Sequence, residues 1–151
     1  MPKFFSTQKQ YIFIGVAFLA ILIGFGDSVY LTISHYSSVP VVCNIIDGCS
    51  TVLASSWATI FGIPVSVLGV LYYATLLTLL TVFFFRRDRI SHSGLLAVAT
   101  IGMMMSFWFL YLQIWEIEAF CQFCLLSFIS TLCVWIAALF IKPRLENNKD
   151  A

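Results

Sequence analysis

Apolar residues run along this chain in four long blocks, at about residues 11–33, 64–85, 94–113 and 121–141, and polar residues collect in the gaps. Each block has roughly the 20 residues a helix needs to cross a hydrocarbon core of about 30 Å, so the pattern predicts four membrane-spanning helices. The first block is longer than the h-region of a signal peptide (about 7–15 residues) and lacks a small-residue cleavage motif, so it is predicted as a retained helix. Gly15, Gly24 and Gly26 within it allow close approach to a neighbouring helix.

The gaps carry their own signals. The polar run from Ser34 to Pro40 marks the exit from the bilayer and opens the longest loop, residues 34–63. Asp47-Gly48 is a turn signal within it. Residues 50–61 interleave Val52, Leu53, Trp57, Ile60 and Phe61 with Ser and Thr. That stretch is too short to span and is predicted as one short helix along the interface, with Trp57 at headgroup level. Gly62-Ile63-Pro64 turns the chain into the second span, with Pro64 at its first position, where a missing N–H costs little. A short basic loop over residues 86–93 and a link over residues 114–120 complete the up-and-down order.

Composition sharpens this picture. The chain is 61% hydrophobic and 10% charged, against about 25% charged in a soluble domain. At 151 residues it is predicted to be a single membrane domain over 1–151, an all-α four-transmembrane-helix bundle. The net charge of +1 argues neither for nor against nucleic acid, and no nucleic-acid partner is expected. The distribution of charge says more. All eight Lys and Arg fall on one side: Lys3, Lys9, Arg86, Arg87, Arg89, Lys142, Arg144 and Lys149. The opposite side holds His35, Asp47, Glu116 and Glu118. The positive-inside rule then predicts both termini in the cytoplasm and the other face outside. The tail from Lys142 onward is expected to be frayed.

Four of the five cysteines form two tight pairs, Cys43-x5-Cys49 in the long loop and Cys121-x-x-Cys124 at the head of the fourth span. Both pairs are predicted at the outer face, where disulfides persist. Thiol–disulfide exchange needs an accessible sulfur of lowered pKa. Cys121 begins a helix, where free N–H groups and the helix dipole favour a thiolate, and Cys124 shares its helix face. Cys43 and Cys49 can bond if the turn brings their α-carbons within about 7 Å. A relay between two dithiols is one reading. Two structural disulfides, or a zinc clip built from both pairs, are others. Cys133 reads as a small buried hydrophobe. Asp27, near the outer end of the first span, is either a proton-handling group or a hydrated or capping one. His35 reads either as a proton shuttle or as a solvated interfacial residue.

Taken in order, Asp27-Ser28-Val29-Tyr30-Leu31-Thr32, Cys43-x5-Cys49, Val52-Leu53-Ala54-Ser55-Ser56-Trp57, Gly62-Ile63-Pro64 and Cys121-x-x-Cys124 resemble the bacterial branch of the vitamin K epoxide reductase family. The resemblance runs from about Gly24 to Ser130. It implies a four-helix bundle around a quinone at the outer membrane edge, capped by the loop and the interfacial helix. It also implies a quinone-dependent thiol oxidase of the bacterial inner membrane, in which ubiquinone or menaquinone accepts electrons and no metal takes part. The implied partner is a periplasmic, DsbA-like thioredoxin-fold protein.

Carried onto this sequence, the resemblance has Cys43 meet the partner thiol, Cys49 pass the exchange to Cys121, and Cys124 face the quinone. Ser55, six residues after Cys49, is the expected hydrogen-bond donor in the redox site. Phe128 stands where the vertebrate branch has a tyrosine that bonds a quinone oxygen, which favours plain quinone reduction over a vitamin K epoxide substrate. Many bacterial relatives carry a fused thioredoxin-like domain; none is expected here, and the partner is expected to be a separate chain. Two rivals remain. A DsbB-type oxidoreductase has a similar helix count, but its CxxC comes first and its wider pair second, the reverse of the order here. A non-enzymatic membrane scaffold or small transporter with stapled loops would keep its cysteines in one state.

Overall fold

Helices dominate the computed structural model, which describes residues 2–45 and 48–143, with side-chain surroundings from Gln8 onward. In chain order the elements are α1 (Pro2–Ser37), α2 (Cys49–Ala54), a 3₁₀ turn (Ser56–Ala58), β1 (Thr59–Ile60), β2 (Ile63–Pro64), α3 (Val65–Arg86), α4 (Arg89–Trp115) and α5 (Gln122–Phe140). Four helices are long and apolar enough to cross a membrane: Gln8–Ser37 within α1, then α3, α4 and α5. They close into a ring in which α1 packs on α3 and α5, and α4 packs on the same two from the other side.

The helical period explains which face of each helix turns inward. In α1 the buried positions are Ile14, Ala17, Ala20, Ile21, Gly24, Asp27, Ser28, Leu31 and Ser34, one stripe at spacings of three and four. Small residues on that stripe let the backbones come close: a Cβ on Gly24 would run into the ring of Tyr73. The opposite face of α1 exposes Ile12, Leu19 and Ile23, as lipid contact requires. Away from the paired cysteines, Ile21, Leu76, Phe83, Leu95 and Val134 fill the bundle, each 0% exposed. At that end Arg87 holds α3 to α1, donating to Gln10 Oε1 (3.2 Å) and covering the ring of Tyr11 at 4.8 Å.

Several expected boundaries move. α1 continues to Ser37, past the polar exit signal at Ser34, because Leu31 and Ser34 still face the bundle. α4 starts at Arg89, so the expected basic loop over residues 86–93 shrinks to Arg87-Asp88. Arg87 supplies the tight stop by adopting the left-handed conformation (φ 54°) while its N–H bonds Phe83 O (2.8 Å). Pro64 caps α3 and does not begin it.

The expected single interfacial helix is broken at Ser55, which turns extended (φ −69°, ψ 153°) as its N–H and hydroxyl both bond Val52 O. Serine competes with the helix in this way through its own short hydroxyl. Beyond the 3₁₀ turn, β1 and β2 form a two-residue hairpin, with Thr59 opposite Pro64 and Ile60 opposite Ile63. Its turn puts Phe61 at φ 50° and Gly62 at φ 80°, the positive-φ pair such hairpins need. Asp47 of the predicted turn, and Arg144 and Lys149 of the tail, lie outside the described residues.

Candidate redox site

All four paired cysteines meet at one end of the bundle. Cys43 and Cys49 form a disulfide with α-carbons 6.2 Å apart, while Cys121 and Cys124 are free thiols. Cys49, Val52 and Cys121 form a small buried cluster, with Cys43, Cys124, Ile117 and Phe123 packed around it. Cys43 stays half-buried at the rim, whereas Cys49 and Cys121 are each 0% exposed.

Backbone contacts set this approach. A Cβ on Gly48 would sit 2.8 Å from the nitrogen of Phe120 and closer still to its carbonyl oxygen, so only glycine lets the loop lie flat on the residue preceding Cys121. The N–H of Ile45 donates to Gln122 Oε1 (3.2 Å), a second tie between the loop and the start of α5.

Gln113 organises the other side. Its backbone carbonyl accepts from Ala119 N–H (3.2 Å), folding the α4–α5 link back over the end of α4. Its buried side-chain Oε1 accepts from Cys121 N–H (3.0 Å). In the sequence Gln113 is only the end of a span, and its polarity at the last turn of an apolar helix is the signal it carries. Cys121 N-caps α5. A hydrogen bond from Cys124 is the main reason its pKa is lowered from 9.0 to about 7, helped by the N–H groups of Phe123 and Cys124 and opposed by burial.

Below this cluster the bundle opens into a cavity of about 500 Å³. Its wall takes Asp27 and His35 from α1, Ser55 and Trp57 from the broken segment, Tyr72 and Tyr73 from α3, Met105 and Phe109 from α4, and Cys124, Ser127 and Phe128 from α5. Of the cysteines, Cys124 alone lines it among the described residues. Phe128 stacks edge-on to Phe107 with centroids 5.4 Å apart. Ser55 lines the wall with its hydroxyl donated to Val52 O (2.7 Å). Tyr73 is bound up as well: its hydroxyl donates to Ser127 O (2.9 Å) and meets the hydroxyls of Ser127 (2.9 Å) and Thr131 (3.0 Å). Both Asp27 carboxylate oxygens and the Tyr72 hydroxyl are buried with no hydrogen-bond partner among the described residues.

The described residues thus bring together a disulfide, two free thiols and a cavity that one of those thiols lines. The model of the vitamin K epoxide reductase family matches residues 15–139, most of the chain and every residue discussed in this section. The chain belongs to that family. It is therefore an oxidoreductase with a multi-pass membrane fold, from a family whose members use quinones and generally act with a thioredoxin-like partner. Comparison with curated proteins gives no match. Cys133 lies apart from the site, packed against the main core.

Proposed function

We propose that this protein is a quinone-dependent thiol oxidase that regenerates a thioredoxin-fold, DsbA-like oxidant outside the bacterial inner membrane. The observation that carries the reading is the split within the CxxC: Cys124 lines the cavity while Cys121 packs with Cys49. Two neighbouring sulfurs that face different spaces suit a pair that takes electrons from one side and gives them to the other.

Cys43, at the rim, is attacked by a partner thiolate; a mixed disulfide forms and Cys49 leaves as thiolate. The partner's second thiol then releases the oxidised partner. Reduced Cys49 attacks Cys121 of a Cys121–Cys124 disulfide, Cys124 leaves, and Cys43 closes on Cys49 to displace Cys121. The result is a Cys43–Cys49 disulfide with free Cys121 and Cys124, the state the structure contains. The lowered pKa of Cys121 makes it a good leaving group in that last exchange.

The cavity fits a quinone: its wall is mostly apolar, and the unpartnered oxygens of Asp27 and Tyr72 suit the polar edge of a flat ring. A bound quinone accepts two electrons and two protons. Trp57, Met105, Phe109 and Phe128 would hold its ring and keep water away, and Ser55 would turn its hydroxyl from Val52 to a ring oxygen. On this reading both termini are cytoplasmic, and ubiquinone or menaquinone serves as acceptor.

Pre-reduced full-length protein in detergent should lose thiols when ubiquinone-1 is added. Cys124→Ala should abolish that loss. Cys43→Ala should still turn over with a small dithiol but fail with the protein partner. A wild-type thiol count unchanged by quinone would overturn the oxidase reading in favour of a stapled, non-enzymatic protein.

A further inference from the structure

We propose that Asp27 is the proton-transfer group of this site, giving its carboxyl proton to the acceptor bound in the cavity and taking the next from Cys124. The inference rests on the quinone-oxidase reading above and adds to it a residue whose role the disulfide chemistry leaves unassigned.

Asp27 lies on the inward stripe of α1, 8% exposed, with both oxygens unpartnered and the side chain on the cavity wall. An acid placed there without a hydrogen bond or a counter-charge is strongly disfavoured unless it binds a proton or a ligand. The bland alternatives need a contact that is missing. A capping role requires a helix terminus, and Asp27 sits ten residues before the end of α1 at Ser37. A hydrated interfacial role requires the lipid- or water-facing side, which Gly26 and Tyr30 occupy. The ionisable groups around it are few: Tyr72 and Tyr73 from α3, Cys121 at the N-cap of α5 and Cys124 within it, and His35 at the cavity rim on its own helix. Among the described residues, α4 adds no ionisable side chain to the cavity.

The Cys121 thiolate and the Cys124 thiol join in a disulfide, and two electrons leave for the acceptor. Asp27 in its acid form gives one proton to an acceptor oxygen and is recharged by the proton of Cys124. The second acceptor proton comes from water, which earlier took the Cys121 proton. Tyr72, whose hydroxyl is also free, can orient the acceptor but stays protonated throughout.

The test uses full-length protein in detergent with ubiquinone-1 and a small dithiol. Asp27→Asn keeps size and polarity but carries no transferable acid proton. It should lower kcat by about 10²-fold with KM nearly unchanged, and it should remove the fall in rate at alkaline pH that loss of the Asp27 proton causes in the wild type. Asp27→Glu should recover most of the rate. A readout apart from turnover is the infrared difference spectrum between the dithiol and disulfide forms without quinone. It should contain a carboxylic acid band that shifts in heavy water and is missing in Asp27→Asn. Where Asp27→Asn does not accumulate, the wild-type spectrum and Asp27→Glu carry the test. Wild-type kcat and pH profile in Asp27→Asn, a rise in KM alone, or a spectrum without an Asp27 band would each overturn the proposal. If the wild type itself fails to pass electrons to quinone, the oxidase reading falls first.

Discussion

The same four helices pack shut at the arginine end of the bundle and stay open at the cysteine end. At the closed end Phe83, Leu76, Leu80 and Leu95 meet Ile21, Val134 and Ile141 with at most 2% exposure. At the open end the inward positions are Asp27 and Ser28 on α1, Gly69 on α3, Gly102 on α4 and Ser127 on α5, and a cavity of about 500 Å³ remains. Small polar side chains such as Ser28 and Ser127 leave room that Leu and Phe fill elsewhere, while Gly69 and Gly102 seat Ser28 and Tyr72 against neighbouring helices. The closed end holds the helices together; the open end holds a ligand-sized space and the sulfurs.

The sharpest way to break this division is Phe83→Ala. Its ring is 0% exposed at the closed end, so the variant should lose about 3–5 kcal/mol of stability, measured by thermal unfolding in detergent. Turnover per folded molecule should be unchanged. Loss of rate without loss of stability would mean that the two ends are not separable.

Gly48→Val should do the reverse. Its side chain would strike the Phe120 backbone, and overpacking of about 1–3 kcal/mol should lift the loop disulfide from Cys121. Partner oxidation should slow roughly tenfold, while quinone still oxidises the pre-reduced Cys121/Cys124 pair in a single turnover. Equal loss of both steps would show that the loop also shapes the cavity.

Gly102→Ala is a milder probe of the open end. Its Cβ would meet the Tyr72 ring and push it into the cavity, so KM for a short-chain quinone should rise roughly tenfold, the scale of one methyl group in a pocket. A KM that does not move would take the acceptor out of this cavity.

The smallest effect is a titration. Removing the Cys124 hydrogen bond by Cys124→Ala should return the Cys121 pKa from about 7 towards 9.0, so at neutral pH the thiolate fraction falls. Thiolate absorbance against pH reads this directly; a midpoint that stays near 7 would assign the shift to the helix start alone.

Much of this was legible in the apolar pattern. Four spans, their order and the juxtaposed cysteine pairs follow from block length and from polarity in the gaps. The broken cap was less so: Ser55 leaves the helix because its hydroxyl bonds Val52, and Phe61 accepts a positive φ that its side chain does not announce. Gln113 is not legible as a site residue in the sequence, because a glutamine at the end of a span resembles an ordinary exit residue. Its carbonyl and side chain gain meaning only when the link folds back to bring Cys121 N–H within reach.

The sequence by itself determined a four-span membrane fold, because about twenty consecutive apolar residues have few other stable environments. It also determined the family and the two dithiols. Only the tertiary structure decided that Gln113 turns its side chain to Cys121 N–H, and that Asp27 is buried without a partner. Those are facts about which side of a helix faces which neighbour, and packing across the bundle sets them.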